Sequence, residues 1–220
     1  MLINSKSTAK QGFDDNCKDI TRLMYFHQSE GGTDRGRRSE DLEVLNKSAI
    51  VLICAVWEAY CEDIVSEAIE HIVTNASSAQ ILGITIKQKI AKEIKDNPHQ
   101  LIVCEIADNG WRTFIRERHR KLEEERNLKL NTPKSYFIKD LFDKNLGIPD
   151  ISEQWYWQKM SSNQAKTKLD EYVTLRGAIA HRGKNAETIK KAQVEDFINH
   201  VTKIVEKTDK YVLEYLSSIN

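Results

Sequence analysis

The stretch "LRGAIAHRG", residues 175 to 183, holds the residues best suited to chemistry: Arg176, His181 five positions later, then Arg182, Gly183 and Lys184. An imidazole near neutrality can take a proton from the 2′-hydroxyl of RNA or give one to the leaving 5′-oxygen. A guanidinium can bind the phosphate and stabilise the charge that builds up on it. Such a pair needs no metal, and it cannot cut DNA, which lacks the 2′-hydroxyl. On a regular helix five residues turn about 500°, which leaves Arg176 and His181 about 140° apart around the axis. They converge only if the helix loosens at its end, where Gly183 stands, or across a two-fold axis. The bland alternative is a helix C-terminus whose Arg and His complement the last carbonyls.

Other candidate groups surround this one. Glu58 in "VWEAY" is an acid on an apolar stretch; it either orients Arg176 or His181 or makes an ordinary ion pair. Arg182 and Lys184 extend a basic edge suited to RNA backbone. In "RTFIRERHRK", Arg112 and Arg116 share a helix face beside Trp111 and are candidate RNA contacts, although "EEER" follows and offers self-neutralising pairs. "DRGRR" (34–38) is a third basic patch, read as loop, and Trp155 and Trp157 are read as core or dimer contact. There is no HExxH, P-loop or GxSxG, and none of the six histidines has metal-ligand spacing to another His or Cys. No metal and no cofactor is expected.

The elements that must position these residues are helices. The 220 residues include only 9 Gly and 3 Pro, with 30% charged and 40% hydrophobic residues. Lys+Arg and Asp+Glu are both 33, so bulk charge does not argue for nucleic-acid binding, while a local patch still suffices. Apolar spacing predicts helices over about 10–28, 40–75, 84–97, 111–126, 134–146, 161–181 and 187–217, with a shorter candidate in "QLIVCEIADNG". Ser39 is a candidate cap for the second helix, whose middle is apolar nearly all round and therefore central. "SEGGTDRGRRSE" reads as a mobile loop. The reading is an all-α antiparallel helical bundle, one domain over 1–220, with 76–157 an inserted helical region or cap.

Cys17, Cys54, Cys61 and Cys104 form no CxxC and are read as buried reduced thiols of a cytoplasmic protein. No signal pattern opens the chain and "AIVLICAVW" is too short to span a bilayer, so no membrane partner is expected.

"TLRGAIAHRG" resembles the Rx4–6H motif of HEPN domains, a superfamily of helical ribonucleases and RNA-binding modules. "SAIVLICAVWEAYCEDIVSEAI" is similar to the long helix of its RiboL-PSP and MAE branches. The likeness covers roughly 40–75 and 160–217. It implies a bundle that dimerises and pairs two motifs in one cleft. It also implies metal-independent RNA cleavage leaving a 2′,3′-cyclic phosphate, in toxin–antitoxin, phage-defence or RNA-processing systems. Arg176 would then bind the scissile phosphate, His181 act as acid or base, and Glu58 support them. The implied partners are RNA, a second copy of the chain, and an antitoxin or defence-system protein. The sequence departs from the family at Gly177, where many active members carry a polar residue, often Asn, and at Gly183, where one toxin branch carries a modified tyrosine. Gly177 keeps open a catalytically silent module that binds RNA or a partner protein. A helical interaction domain without an RNA role is the third reading.

Overall fold

The computed structural model describes residues 6–31, 40–99, 101–127, 132–182 and 188–219. Ser39, "DRGRR", Gly183 and Lys184 lie outside them. The described residues form eight α-helices and two short 3-10 turns, with no strand beyond one isolated bridge between Trp157 and Met160. The helices are α1 (Thr8–Gly31), α2 (Glu40–Asn75), α3 (Ile84–Asp96), α4 (Ile102–Ile106), α5 (Gly110–Asn127), α6 (Ser135–Leu146), α7 (Ser162–Arg182) and α8 (Lys191–Ser217). No helix among the described residues is long and apolar enough to cross a membrane.

α2 is the central element, as its all-round apolar middle requires: α1, α5, α6, α7 and α8 all pack on it. Ala49, Ile50, Ile53, Cys54, Trp57, Cys61, Val65 and Ala68 are fully or almost fully excluded from water. Cross-helix contacts give the directions. Glu67 of α2 accepts hydrogen bonds from the backbone N–H groups of Thr8 (3.1 Å) and Ala9 (2.9 Å), and Phe13 meets Tyr60 edge to face. α1 therefore runs antiparallel to α2. On the other side the Asn46 amide donates to the Ile189 carbonyl and Tyr60 Oη to the Val205 carbonyl, so α8 runs parallel to α2. Ala165 and Tyr172 of α7 meet His200 and Gln193 of α8, so α7 runs back against both. The core is thus an up-and-down set of α1, α2, α7 and α8.

Between α2 and α7 the chain adds α3–α6. α5 lies antiparallel along the C-terminal half of α2. Arg112 donates to the Val73 carbonyl and, at 2.7 Å, to that of Ala76, satisfying carbonyls that the end of α2 leaves unpaired. Arg118, 9% exposed, donates to Glu93 (2.6 Å) and to the Lys144 carbonyl (2.7 Å), tying α3, α5 and α6. α6 closes at Gly147, whose φ of 69° is the left-handed conformation that ends a helix cheaply only with glycine.

Three expectations need correction. α1 continues to Gly31, into the stretch read as loop. α8 begins at Lys191 rather than near 187: Ile189 is buried with its carbonyl accepting from Asn46, and Lys190 is extended, so the helix starts only after that tertiary contact. Finally, Cys54 and Cys61 are buried, but Cys17 is half-buried and Cys104 is exposed on the short α4. Burial pushes the Cys54 thiol up to about 12, against the opposing pull of Arg176, which marks it as an inert core group.

Candidate functional site

α7 stays α-helical through Arg182, so the helix end does not loosen between Arg176 and His181. Within one chain the two side chains therefore stand about 140° apart around the axis. Arg176 lies on the α2 side. Its Nη2 is 3.9 Å from Glu58 Oε2, with the two side chains 26% and 24% exposed. Cys54, one turn before Glu58, lies on the same face of α2, close enough for the guanidinium to act on its thiol. His181 is exposed. The structure thus joins two of the three predicted catalytic residues, Glu58 and Arg176, and leaves the third on another side of the motif helix.

The helix α7 forms here because Ala165, Leu169, Val173 and Ile179 supply the buried stripe against α2 and α8. Arg176 falls inside that stripe, three before Ile179 and three after Val173. That position draws its guanidinium between helices and explains why an acid on α2 faces it: a half-buried cation in a helix interface needs a partner. Gly177 is not demanded by packing, since a Cβ built there meets nothing within 4 Å. Replacing it with alanine should stabilise the protein by about 0.5–1 kcal/mol, because glycine in a helix interior costs that much in backbone entropy. A thermal melt of Gly177→Ala that falls below wild type would show a hidden steric demand.

The predicted RNA contacts fall into two groups. Arg112 caps α2 and lies 4.5 Å from the Trp111 ring, and Arg116 makes a bidentate pair with Glu70 at 2.9–3.1 Å. Their donors are directed within the chain, although the partner of Arg116 is on α2 rather than in "EEER". The Arg182 side chain and Lys184 lie outside the described residues. Trp155 is fully buried, with Nε1 donating to Thr208 Oγ1 at 2.9 Å, and Trp157 packs on His200; both serve the core.

One constellation escaped sequence reading. His119 Nε2 is 3.0 Å from Ser66 Oγ, and its Nδ1 is 2.9 Å from Asn145 Oδ1. Asn145 Nδ2 donates to the Leu141 carbonyl at 2.9 Å, which turns Oδ1 toward the ring. Glu123 Oε1 sits 3.3 Å from both Nε2 and Ser66 Oγ. The arrangement links α2, α5 and α6. Ser66 sits in mid-helix, where the neighbouring N–H groups are spent on the helix ladder and supply no oxyanion donors, so we read it as a brace. Only the i,i+4 spacing of His119 and Glu123 was visible beforehand.

An all-helical bundle carrying an Arg-x4-His motif on the penultimate long helix fits the HEPN class of domains. The chain belongs to the RiboL-PSP-HEPN family, whose model matches residues 13–214. That match runs through 76–157 and into α1, well beyond the two segments that carry the resemblance in the sequence. No curated protein and no solved structure matches it significantly.

Proposed function

We propose that this HEPN module is a metal-independent endoribonuclease that cuts RNA by 2′-hydroxyl attack and leaves a 2′,3′-cyclic phosphate, acting as a toxin or phage-defence effector. The observation that carries the reading is the Glu58–Arg176 pair between α2 and the motif helix, which holds a guanidinium at the edge of the core, half-open to solvent. Arg176 binds the scissile phosphate and stabilises its added charge. His181 moves the proton at the 2′- or 5′-oxygen. Glu58 acts as a positioning residue that aims Arg176.

The 140° between Arg176 and His181 is bridged by a second copy of the chain, whose His181 meets the first copy's Arg176. The exposed apolar residues Val44 (60%), Val51 (36%) and Leu52 (42%) of α2 support this dimer. Val51 is seven residues from Glu58 and so lies on nearly the same face. The silent-module reading draws support from Arg176 being turned into the α2 interface rather than toward His181.

The deciding experiment incubates the protein with single-stranded RNA in EDTA and analyses the ends. Cutting with 2′,3′-cyclic ends is expected. Cutting that appears only with Mg²⁺ would overturn the mechanism, and binding without cutting would favour the silent module.

A further inference from the structure

Glu58 has a second neighbour besides Arg176. It lines a pocket of about 170 Å³ between α2, α5 and α6, whose lining does not include Arg176. Glu58 is thus the residue that pocket and guanidinium share. The space is about what one benzene-sized group fills. Cys61, Pro133 and Ile138 are buried in its wall, Leu122 and Leu141 are half-buried, and Phe137, 53% exposed, stands at the mouth. Two anchors hold the wall in place. Trp57 Nε1 donates to the Pro133 carbonyl at 3.1 Å. The Ser135 N–H (2.7 Å) and Oγ (2.8 Å) donate to Asp170 of the motif helix, which fixes the start of α6.

The charge around this apolar wall has one sign. Glu58, Glu62, Glu125 and Asp140 line the pocket; among the described lining residues the one cation is Lys144, and it meets Asp140 at 2.5 Å. Glu58 and Glu62 are one turn apart on α2 and share a face. Such a lining turns phosphate away, so the pocket is not a place for the RNA backbone. It suits an apolar stem that ends in a cation, which is the make-up of a long basic side chain. Beside the mouth, Tyr136 (69% exposed) and Phe137 form an exposed edge-to-face pair at 5.4 Å. Exposed aromatic rings around a pocket that takes a charged anchor are the usual make-up of a protein-binding hot spot.

We propose that this pocket binds the side chain of an arginine presented by a partner polypeptide, and that the bound guanidinium draws Glu58 away from Arg176. At 3.9 Å the Glu58–Arg176 pair is longer than a hydrogen bond, so a guanidinium that hydrogen-bonds Glu58 from the pocket competes with it. Occupancy therefore lowers RNA cleavage without blocking the RNA. Only that consequence rests on the ribonuclease reading; the binding does not.

The test uses the full chain and two probes, n-butylguanidinium chloride and a blocked Leu-Arg-Leu tripeptide, with n-butanol and guanidinium chloride as references. Amide NMR shifts of α6 around Leu141 report binding with no RNA present. Both probes should give saturating shifts, and neither reference should at the same concentration. Glu125→Gln should weaken both probes about threefold and Phe137→Ala about fivefold. Tyr136→Ala should weaken the tripeptide alone. All three sites are exposed, so neither the thermal midpoint nor basal cleavage should move. With RNA in EDTA, the tripeptide should inhibit wild type, and its inhibition constant should rise by the same factors in Glu125→Gln and Phe137→Ala. If neither probe binds, the proposal falls and the ribonuclease reading stands. Binding of butylguanidinium but not of the tripeptide would overturn the polypeptide source. Binding of both with cleavage unchanged would overturn the coupling through Glu58. If wild type cuts no RNA, the ribonuclease reading falls, and the NMR titrations still decide the pocket.

Discussion

His181→Ala is expected to lower RNA cleavage in EDTA by about 10²–10⁴-fold, the usual contribution of a positioned acid or base. Because His181 is exposed, the loss should leave the circular dichroism spectrum and the melting midpoint unchanged. Arg176→Ala should cost about 10²–10³-fold through loss of charge stabilisation at the phosphate. Here the control matters, since removing the guanidinium also strips Glu58 of a partner 3.9 Å away. Arg176→Lys keeps the charge but not the planar fork, so it should fold normally and cut slowly. If the two residues act as one unit, the double variant should be scarcely slower than the worse single one. A mixture of the two single variants provides a separate readout. In a composite dimer, one of the two sites of a mixed dimer regains both residues, and activity should partly return. Full activity in His181→Ala would remove this residue from the chemistry altogether.

The second large effect concerns stability. Trp57 is fully buried, stacks on Tyr60 at 6.0 Å, meets Trp155 edge to face at 5.8 Å, and donates from Nε1 to the Pro133 carbonyl at 3.1 Å. It therefore joins α2 to the residue pair before α6, and through Trp155 to α8. Trp57→Ala should cost about 3–5 kcal/mol by transfer and cavity terms, a large part of the roughly 5–15 kcal/mol that holds a domain folded. The midpoint should fall by about 10 °C or more. Tyr136, 69% exposed on α6, is the contrasting site. Its alanine variant should stay within about 0.5 kcal/mol of wild type. Equal melting of the two variants would contradict the packing described for α2.

Glu58 is half-open while Trp57 and Cys61 on either side of it are buried; the sequence left open whether Glu58 lay buried or at an edge, because residues three apart share a face and the middle of α2 is apolar nearly all round. The 3.6-residue period located α2 at Glu40–Asn75, α3, α5, α6 and α7 to within a residue or so at each end. It failed at the start of α8 because a hydrogen bond from Asn46, more than a hundred residues away in the chain, decides where that helix begins. It could not assign Arg112 either. A guanidinium four residues from another reads as a phosphate site in sequence, yet here it fills the carbonyl end of α2.

What the sequence determined by itself is what depends on neighbours along the chain. The Arg-x4-His spacing, the apolar stripe of α7, and the buried central helix all follow from helical geometry and local apolar pattern. Tertiary structure alone decided which acid faces Arg176, that Arg176 and His181 stay about 140° apart on an unbroken helix, and that Tyr156 stands exposed between a buried Trp155 and a half-buried Trp157. These depend on groups far apart in sequence being brought to within a few ångströms. Charge pairing and desolvation act at that range and are set by the packed fold, not by spacing along one strand of chain.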